Sequence, residues 1–488
     1  MKLCDGYKRL NDSYELVTDD YEYKMINGYV VSKKDKEEVV FDIYFRKVPT
    51  SGGYAIMAGL DKIIEYIKDL KYSERSINYF VKNNYPKELI QYLKDFKFTG
   101  DIYAIPDGTP VFPNEPLVTI KAPLAEAQVI ETSLLAIING AMEHATAARR
   151  IVEAAPKGVK VMEFGARRAD GLEAAIDSSL YAMMVGCVGT SNCRAADMVG
   201  EKAMGTMAHS WIESFDTELE AFITFAKIYP DNCILLVDTY DTLRSGIPNA
   251  IKTFEYMRDN GLPTDNIGVR IDSGDLAYLT KETRRMLDEA GFPQAKICIS
   301  NGLNYDTIES LIAQGAVFDL IGCGDHISKP VGNMGNVYKE VELKQDGFRK
   351  PKLKLSEDTI KILNPGYKKV YRAYSKESGY ALADIICDYE QVLSEDNLEI
   401  VSPTDTLKRK VISNYDLVEL QQPIFINGEL VYEDLELNEI RKYVDDQMST
   451  LYPEVKRNLN PHEYPVSGTL EYVDFKYDLI NKTKKLVR

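Results

Sequence analysis

The sequence predicts an α/β protein: a barrel-like parallel sheet in the middle, an N-terminal α/β domain with a small antiparallel sheet, and a C-terminal extension. Three observations lead there. Between Val159 and Asp325, short β-branched runs alternate with helix-length stretches in about six or seven units, the number for a barrel of that order rather than an open sheet. Clusters of Gly, Asp and Ser follow those runs immediately, as strand-to-helix loops do. Residues 100–123 read GDIYAIPDGTPVFPNEPLVTIKAP, short apolar pairs separated by closely spaced turn residues, which is the pattern of a small antiparallel sheet.

In chain order, residues 54–70 and 87–96 carry apolar residues at helical spacing. After the 100–123 sheet comes an Ala-rich helical stretch over residues 124–155. The alternating units follow, with buried-strand runs at 234–237, 269–271 and 297–299. Residues 344–372 are basic and predict short strands, and residues 435–451 predict a helix. The expected segments are 1–130, 131–345 and 346–488.

Composition removes several classes. With 488 residues and 45% hydrophobic side chains, the chain can bury a full core without a disulfide or metal staple. A formal net charge of −16 disfavours a nucleic-acid partner, which calls for a basic field. No apolar run reaches the ~18–20 residues of a membrane span, and the first residues lack the apolar core of a signal peptide. Seven scattered cysteines without a C-x-x-C pair, and four dispersed histidines, argue against a disulfide framework or a zinc site and for a reducing cytoplasm.

The unusual polar residues sit on the expected strand-to-helix loops, where such folds bind ligands. VDTYDT brings Asp238 and Asp241 past one strand; RIDSGD brings Arg270, Asp272 and Asp275 past the next. Carboxylates there can accept hydrogen bonds from sugar hydroxyls or hold Mg²⁺. The plain alternative is helix capping, which favours Asp and Ser by itself. Gly322 and Gly324 in IGCGDHIS allow close backbone approach to an anion. Arg167 and Arg168 in EFGARRADG can grip phosphate, or merely pair on the surface. His209 stands on a loop beside Thr206 and Ser210. There is no Walker lysine loop. Cations, carboxylates, a glycine turn and one histidine on one rim describe a sugar-phosphate site.

Six ordered motifs, TDDYEYKM, EFGARRADG, GTMAHSW, LVDTYDTLRSG, GVRIDSGDL and ISNGLN, closely resemble nicotinate phosphoribosyltransferases. The likeness runs from Thr18 to about Lys339, with little contribution from the C-terminal part. It implies the type II phosphoribosyltransferase fold, an irregular α/β barrel packed with the N-terminal domain. It also implies a homodimer with shared active sites. The implied reaction joins nicotinate to 5-phosphoribosyl 1-pyrophosphate, giving nicotinate mononucleotide and pyrophosphate, in NAD biosynthesis. Mg²⁺ assists, and ATP is a co-substrate coupled through a phosphohistidine.

Carried over by motif, His209 resembles the phosphohistidine and Thr206 a nicotinate contact. Tyr21 resembles the ring-stacking aromatic from the second subunit, with Phe164 on the opposite ring face. Arg270 resembles the cation facing the substrate carboxylate, and Asp238 and Asp272 the ribose and magnesium-pyrophosphate carboxylates. Arg167, Ser300, Asn301, Gly302, Gly322 and Gly324 resemble donor-phosphate ligands, with Arg46 reaching the phosphate from the second subunit.

Two positions bear on specificity. Many family members read G-I-G-T where this chain reads Gly322-Cys323-Gly324-Asp325. An inward aspartate would repel a 5′-phosphate. Either Asp325 caps the following helix, or backbone N–H groups and a lysine such as Lys339 hold the phosphate. Ser191 stands where the nicotinamide-using sibling has an aspartate, and its neutrality favours a carboxylate substrate over an amide. The alternatives are a transferase using nicotinamide or quinolinate, and a non-catalytic relative that binds pyridine nucleotides.

Overall fold

The computed structural model describes residues 1–3, 14–49, 52–355, 363–394 and 396–486; Cys4 lies outside them. These residues form two compact units, Ala147–Pro330 and the combination of Met1–Thr146 with Val331–Arg488. This division differs from the three consecutive segments expected. The helix Glu131–Ala154 starts within the first unit's residues, and the strand Val337–Gln345 pairs antiparallel with Glu38–Tyr44.

The Ala147–Pro330 unit is a parallel half-barrel. Its strands run in the spatial order Lys160–Glu163, Leu320–Cys323, Lys296–Ser300, Ile267–Ile271, Cys233–Leu236. Every neighbouring pair is parallel. Beyond the first strand a single bridge joins Glu163 to Thr190. The six or seven units thus yield five strands and a bridge, because residues 201–208 form an extended loop instead of another strand. Cys233–Leu236 is buried throughout, as a parallel strand covered on both faces must be. Crossover helices include Leu172–Met184, Glu218–Ile228, Ile247–Asp259, Leu276–Glu289 and Tyr305–Ala313.

Capping explains several loop residues. The Asp241 side chain accepts the Leu243 and Arg244 N–H groups, and Asp275 accepts that of Tyr278. Those two aspartates are helix caps. Gly246 lies directly against the Val237 carbonyl, where a Cβ would collide. It lets the Thr242–Gly246 turn pack under the strand end that carries Asp238.

In the other unit the expected 100–123 sheet is the centre of a larger one. Asp101–Ala104 and Val118–Pro123 pair antiparallel inside a seven-stranded sheet that also takes in Glu38–Tyr44, Val337–Gln345 and Gln422–Ile426. Buried Val39, Phe41, Ile43, Ile102 and Ile120 form its core face. A second, six-stranded sheet is built from residues after 367. The helix expected over 54–70 begins only at Leu60, because Ala55–Ile56 pairs with Pro110–Val111 and Gly59 takes φ +105°. The 124–155 stretch is two helices, Leu124–Val129 and Glu131–Ala154. Among the described residues no helix is long and apolar enough to cross a membrane.

Candidate active site

Adjacent strands of the half-barrel end in residues that bond to one another. Asp238 follows Cys233–Leu236, and its Oδ2 accepts the Asp272 N–H (3.2 Å) and the Ser273 hydroxyl (2.6 Å). Its Oδ1 is buried with no partner. Asp272 follows Ile267–Ile271; its Oδ1 accepts the Ser300 hydroxyl and lies 4.0 Å from Arg270 Nη1. Arg270 Nη2 donates to the Met207 carbonyl (2.9 Å), while its Nε is buried and unpartnered. A guanidinium held at one edge, with a dry N–H at another, is set to take a planar anion.

His209 begins the short helix His209–Glu213, two residues beyond that Met207 carbonyl. Its Nδ1 lies 3.1 Å from the Thr239 hydroxyl, and Thr239 adjoins Asp238. The Thr206 hydroxyl points back to the Met207 carbonyl at 3.4 Å. The histidine, the two carboxylates, Ser300 and Arg270 therefore form one linked set at the carboxyl ends of the strands.

Sequence reasoning missed Glu163, which organises the next loops. It is fully buried, and its carboxylate accepts the Gly165 N–H and the hydroxyls of Ser179 (2.9 Å) and Thr190. Its backbone N–H donates to the Gly189 carbonyl (3.0 Å), and its own carbonyl accepts the Ser191 N–H (2.9 Å). One residue thus fixes the turn after Phe164 and the loop bearing Ser191. A signal was available in the sequence: an acidic residue at the end of an otherwise apolar strand must meet donors. Thr239 and Ser273 were also passed over.

The half-buried Phe164 donates its N–H to the Cys323 carbonyl (2.7 Å), and its ring lies over Gly322. A Cβ on Gly322 would sit 2.6 Å from ring carbons, so that glycine exists to admit the aromatic. Burial pushes the Cys323 thiol up to about 12, and it donates to the Leu303 carbonyl (3.0 Å); no thiolate forms in this loop. Asn301 and Gly302 are exposed, both with positive φ (83° and 62°), at the turn after Ser300. Arg167 is exposed.

Tyr21, Arg46 and Lys339 belong to the other unit. Tyr21 is 46% exposed on the helix Asp20–Val31. Arg46 lies over the Tyr44 ring at 5.8 Å and keeps a buried, unpartnered Nε. Lys339, on Val337–Gln345, donates to the Tyr338 carbonyl (2.7 Å), and burial lowers its pKa.

Comparison with known proteins decides the family. Residues 16–139 match the nicotinate phosphoribosyltransferase N-terminal domain, residues 159–320 the nicotinate phosphoribosyltransferase family, and residues 367–476 the nicotinate phosphoribosyltransferase C-terminal domain. The chain is 38% identical to the nicotinate phosphoribosyltransferase of Bacillus subtilis (strain 168) over 490 residues, covering 99% of this chain and 98% of that one. It is 32% identical to the Dictyostelium discoideum nicotinate phosphoribosyltransferase, covering 95% and 88%. The fold matches the crystal structure of human nicotinic acid phosphoribosyltransferase with a TM-score of 0.82 at 24% identity, over 95% of this chain and all of that one. The chain belongs to the nicotinate phosphoribosyltransferase family.

Within that family, the departure at Asp325 has a local resolution. Asp325 Oδ1 pairs with Arg168 Nε at 3.1 Å, both side chains exposed. The carboxylate is balanced by the neighbouring loop's arginine, and it makes no side-chain cap. Gly324 N-caps the one-turn helix Asp325–Ser328. Of the two alternatives for Asp325, helix capping by its side chain is not what the structure shows.

The donor set also suits Mg²⁺. Asp238 Oδ1 is a buried oxygen with no partner, and Asp272 is a second hard carboxylate beside it. Two carboxylates leave most of an octahedral shell to phosphate oxygens and water, as Mg²⁺ sites on phosphate substrates do. Among the described residues no cluster of three or more His, Cys, Asp or Glu side chains makes an all-protein metal cage.

Proposed function

We propose that this protein transfers the phosphoribosyl group of 5-phosphoribosyl 1-pyrophosphate to nicotinate, releasing pyrophosphate, as a step of NAD biosynthesis. The observation that carries the reading is the linked set of Asp238, Asp272, Ser300, Arg270 and His209 on consecutive strand ends of a family member. Breaking the bond between ribose C1 and pyrophosphate leaves positive charge on the ribose ring, as in glycoside cleavage. Asp238 and Asp272 tolerate that charge. The two carboxylates would hold Mg²⁺, which would supply charge to neutralise the leaving pyrophosphate. The pyridine nitrogen attacks C1, so no protein nucleophile is required. Arg270 faces the nicotinate carboxylate, Thr206 contacts the ring, and Phe164 supplies one stacking face. Arg167, Ser300, Asn301, Gly302, Gly322 and Gly324 serve the donor's phosphates.

ATP is the co-substrate in this reading. The γ-phosphoryl group passes to a His209 ring nitrogen with release of ADP, its charge of close to −2 biases binding at the pyrophosphate end, and water then cleaves the P–N bond to give phosphate. The active unit is a homodimer. Tyr21, exposed on its helix, stacks on the nicotinate bound by a second copy, and Arg46 reaches that copy's phosphate, while Lys339 is a candidate ligand of the 5′-phosphate. Among the described residues five of six cysteines are buried, which fits a reducing cytoplasm.

The test is to incubate purified protein with nicotinate, nicotinamide, 5-phosphoribosyl 1-pyrophosphate, Mg²⁺ and ATP. Nicotinate mononucleotide is the expected product. Nicotinamide mononucleotide alone would reassign the substrate. Nucleotide binding without pyrophosphate release would make the chain a non-catalytic relative.

A further inference from the structure

The unit made of Met1–Thr146 and Val331–Arg488 contains a cavity of about 480 Å³, and of its lining only Arg46, at the rim, has a part in the reaction above. Its charged lining is Arg46, Lys47, Lys368 and Lys476 against Asp42 and Glu463. Both carboxylates are already engaged. Asp42 accepts the Lys368 ammonium and the Thr119 hydroxyl (2.7 Å), buried at both ends of the ion pair. Glu463 is exposed and pairs with Lys408 at 3.2 Å. Among the described residues the lining therefore carries surplus positive charge, within a chain whose net charge is −16.

Lys476 concentrates that surplus. It is 2% exposed, and its ammonium makes a single hydrogen bond, to Asn364 Oδ1 at 2.8 Å. Asn364 is turned by its own amide, which donates to the Asn114 carbonyl (3.0 Å). An ammonium has three N–H donors and this one satisfies one; no described carboxylate lies within ion-pairing distance. Lysines are almost never buried this far without a partner, because an uncompensated buried charge is strongly destabilising. Burial, reinforced by Lys368, lowers the Lys476 pKa to about 8, which still leaves it mainly protonated at pH 7.

We propose that this cavity is a binding site for a small phosphate-bearing anion, whose oxygens accept the two remaining N–H donors of Lys476. The exposed Lys47 supplies a further donor. Phe112, Leu363 and Tyr464 give an apolar wall that suits the organic part of a phosphate ester. The inference stands on Lys476 and Asn364, not on the reaction assigned to the half-barrel.

The test titrates orthophosphate, and separately AMP, calorimetrically into the full chain. Saturating 5-phosphoribosyl 1-pyrophosphate is present, and nicotinate and ATP are absent. The wild-type protein should bind one anion per chain under these conditions. Lys476→Met and Asn364→Asp should each weaken binding by about tenfold or more, the loss expected when a charge-assisted hydrogen bond is removed. Asn364→Asp keeps the lysine and gives it a permanent counter-charge, so its loss of binding at an undiminished melting temperature separates ligand loss from misfolding. Tighter binding of AMP than of orthophosphate marks an ester ligand, and equal binding marks free phosphate. Equal affinity in all three proteins, no anion binding by the wild type, or displacement of the anion one-for-one by 5-phosphoribosyl 1-pyrophosphate would each overturn the proposal.

Discussion

The His209 imidazole is oriented by Thr239: Nδ1 lies 3.1 Å from the hydroxyl, leaving Nε2 as the nitrogen that the proposed phosphoryl transfer would use. When Nδ1–H donates to Thr239, Nε2 carries the lone pair. His209→Ala should abolish ATP hydrolysis and acid-labile phosphate labelling, while some uncoupled transfer persists. Thr239→Val keeps the shape but removes the acceptor, and should slow labelling by ~10-fold or more, as for other lost imidazole-orienting partners. Labelling from ATP in the His209→Ala protein would refute the assignment.

Asp238 supports Asp272 through the Asp272 N–H, in addition to the substrate role proposed for it. Asp238→Asn can still accept the Asp272 N–H but loses the charge at the buried Oδ1. We expect kcat/KM for 5-phosphoribosyl 1-pyrophosphate to fall by roughly 10²–10³-fold, the usual effect of removing a transition-state electrostatic group. The Mg²⁺ concentration for half-maximal rate should rise too. An unchanged Mg²⁺ dependence would exclude Asp238 as a metal ligand.

Ser191 is exposed and anchored through its backbone N–H to the Glu163 carbonyl, so its side chain can be changed without disturbing the loop. Ser191→Asp adds a negative charge where a nicotinate carboxylate is expected, and like charges repel. Nicotinate KM should rise sharply, and nicotinamide should gain relative to it. Identical kinetics for both substrates would remove Ser191 from the specificity argument.

Glu163 acts through its neighbours. Glu163→Ala strands the Gly165 N–H and the Thr190 hydroxyl, while Ser179 keeps the Ala175 carbonyl (2.8 Å), and should cost about 2 kcal/mol or more of stability, at ~1–3 kcal/mol per unsatisfied group. Glu163→Gln keeps the shape, and the hydroxyls of Ser179 and Thr190 can turn to accept from its amide. It should recover most of the melting temperature and leave a raised nicotinate KM with a smaller change in kcat. A Gln variant as unstable as the Ala variant would mean the charge itself is required.

Glu22 predicts a pH effect on stability. It is fully buried on the Asp20–Val31 helix, and burial pushes its carboxyl from 4.5 up to about 8, against hydrogen bonds from Thr132 that favour the ionised form. Between these values the unfolded chain has released the proton and the folded chain has kept it. Stability therefore falls as pH rises from about 4.5 to about 8 and levels off beyond. Glu22→Gln should remove that slope and raise the melting temperature more at pH 8 than at pH 5, with an effect on the order of a few kcal/mol. Equal shifts at both pH values would show that Glu22 does not titrate in this window.

The alternation of β-branched runs with helical stretches made the parallel sheet legible, and the motif residues could be placed at strand ends before any geometry was known. Helix existence was legible also, whereas starts were not: Leu60 rather than residue 54 begins its helix because Ala55–Ile56 is captured by a strand 54 to 56 residues further along the chain. The 100–123 sheet looked small because its partners, Glu38–Tyr44 and Gln422–Ile426, lie far off in sequence.

What the sequence determined by itself was the inventory: which acids, cations and glycines occur, and on which loops. Local rules sufficed for that, since strand and helix periodicity depends on near neighbours. Tertiary structure alone decided the roles. It made Asp241 and Asp275 caps while turning Asp238 toward Asp272, and it set Asp325 against Arg168. It also placed the single carboxylate of Glu163 between two loops. Identical side chains two or three residues apart differ only in which distant donors reach them, and those donors are brought near by strand pairing rather than by adjacency along the chain.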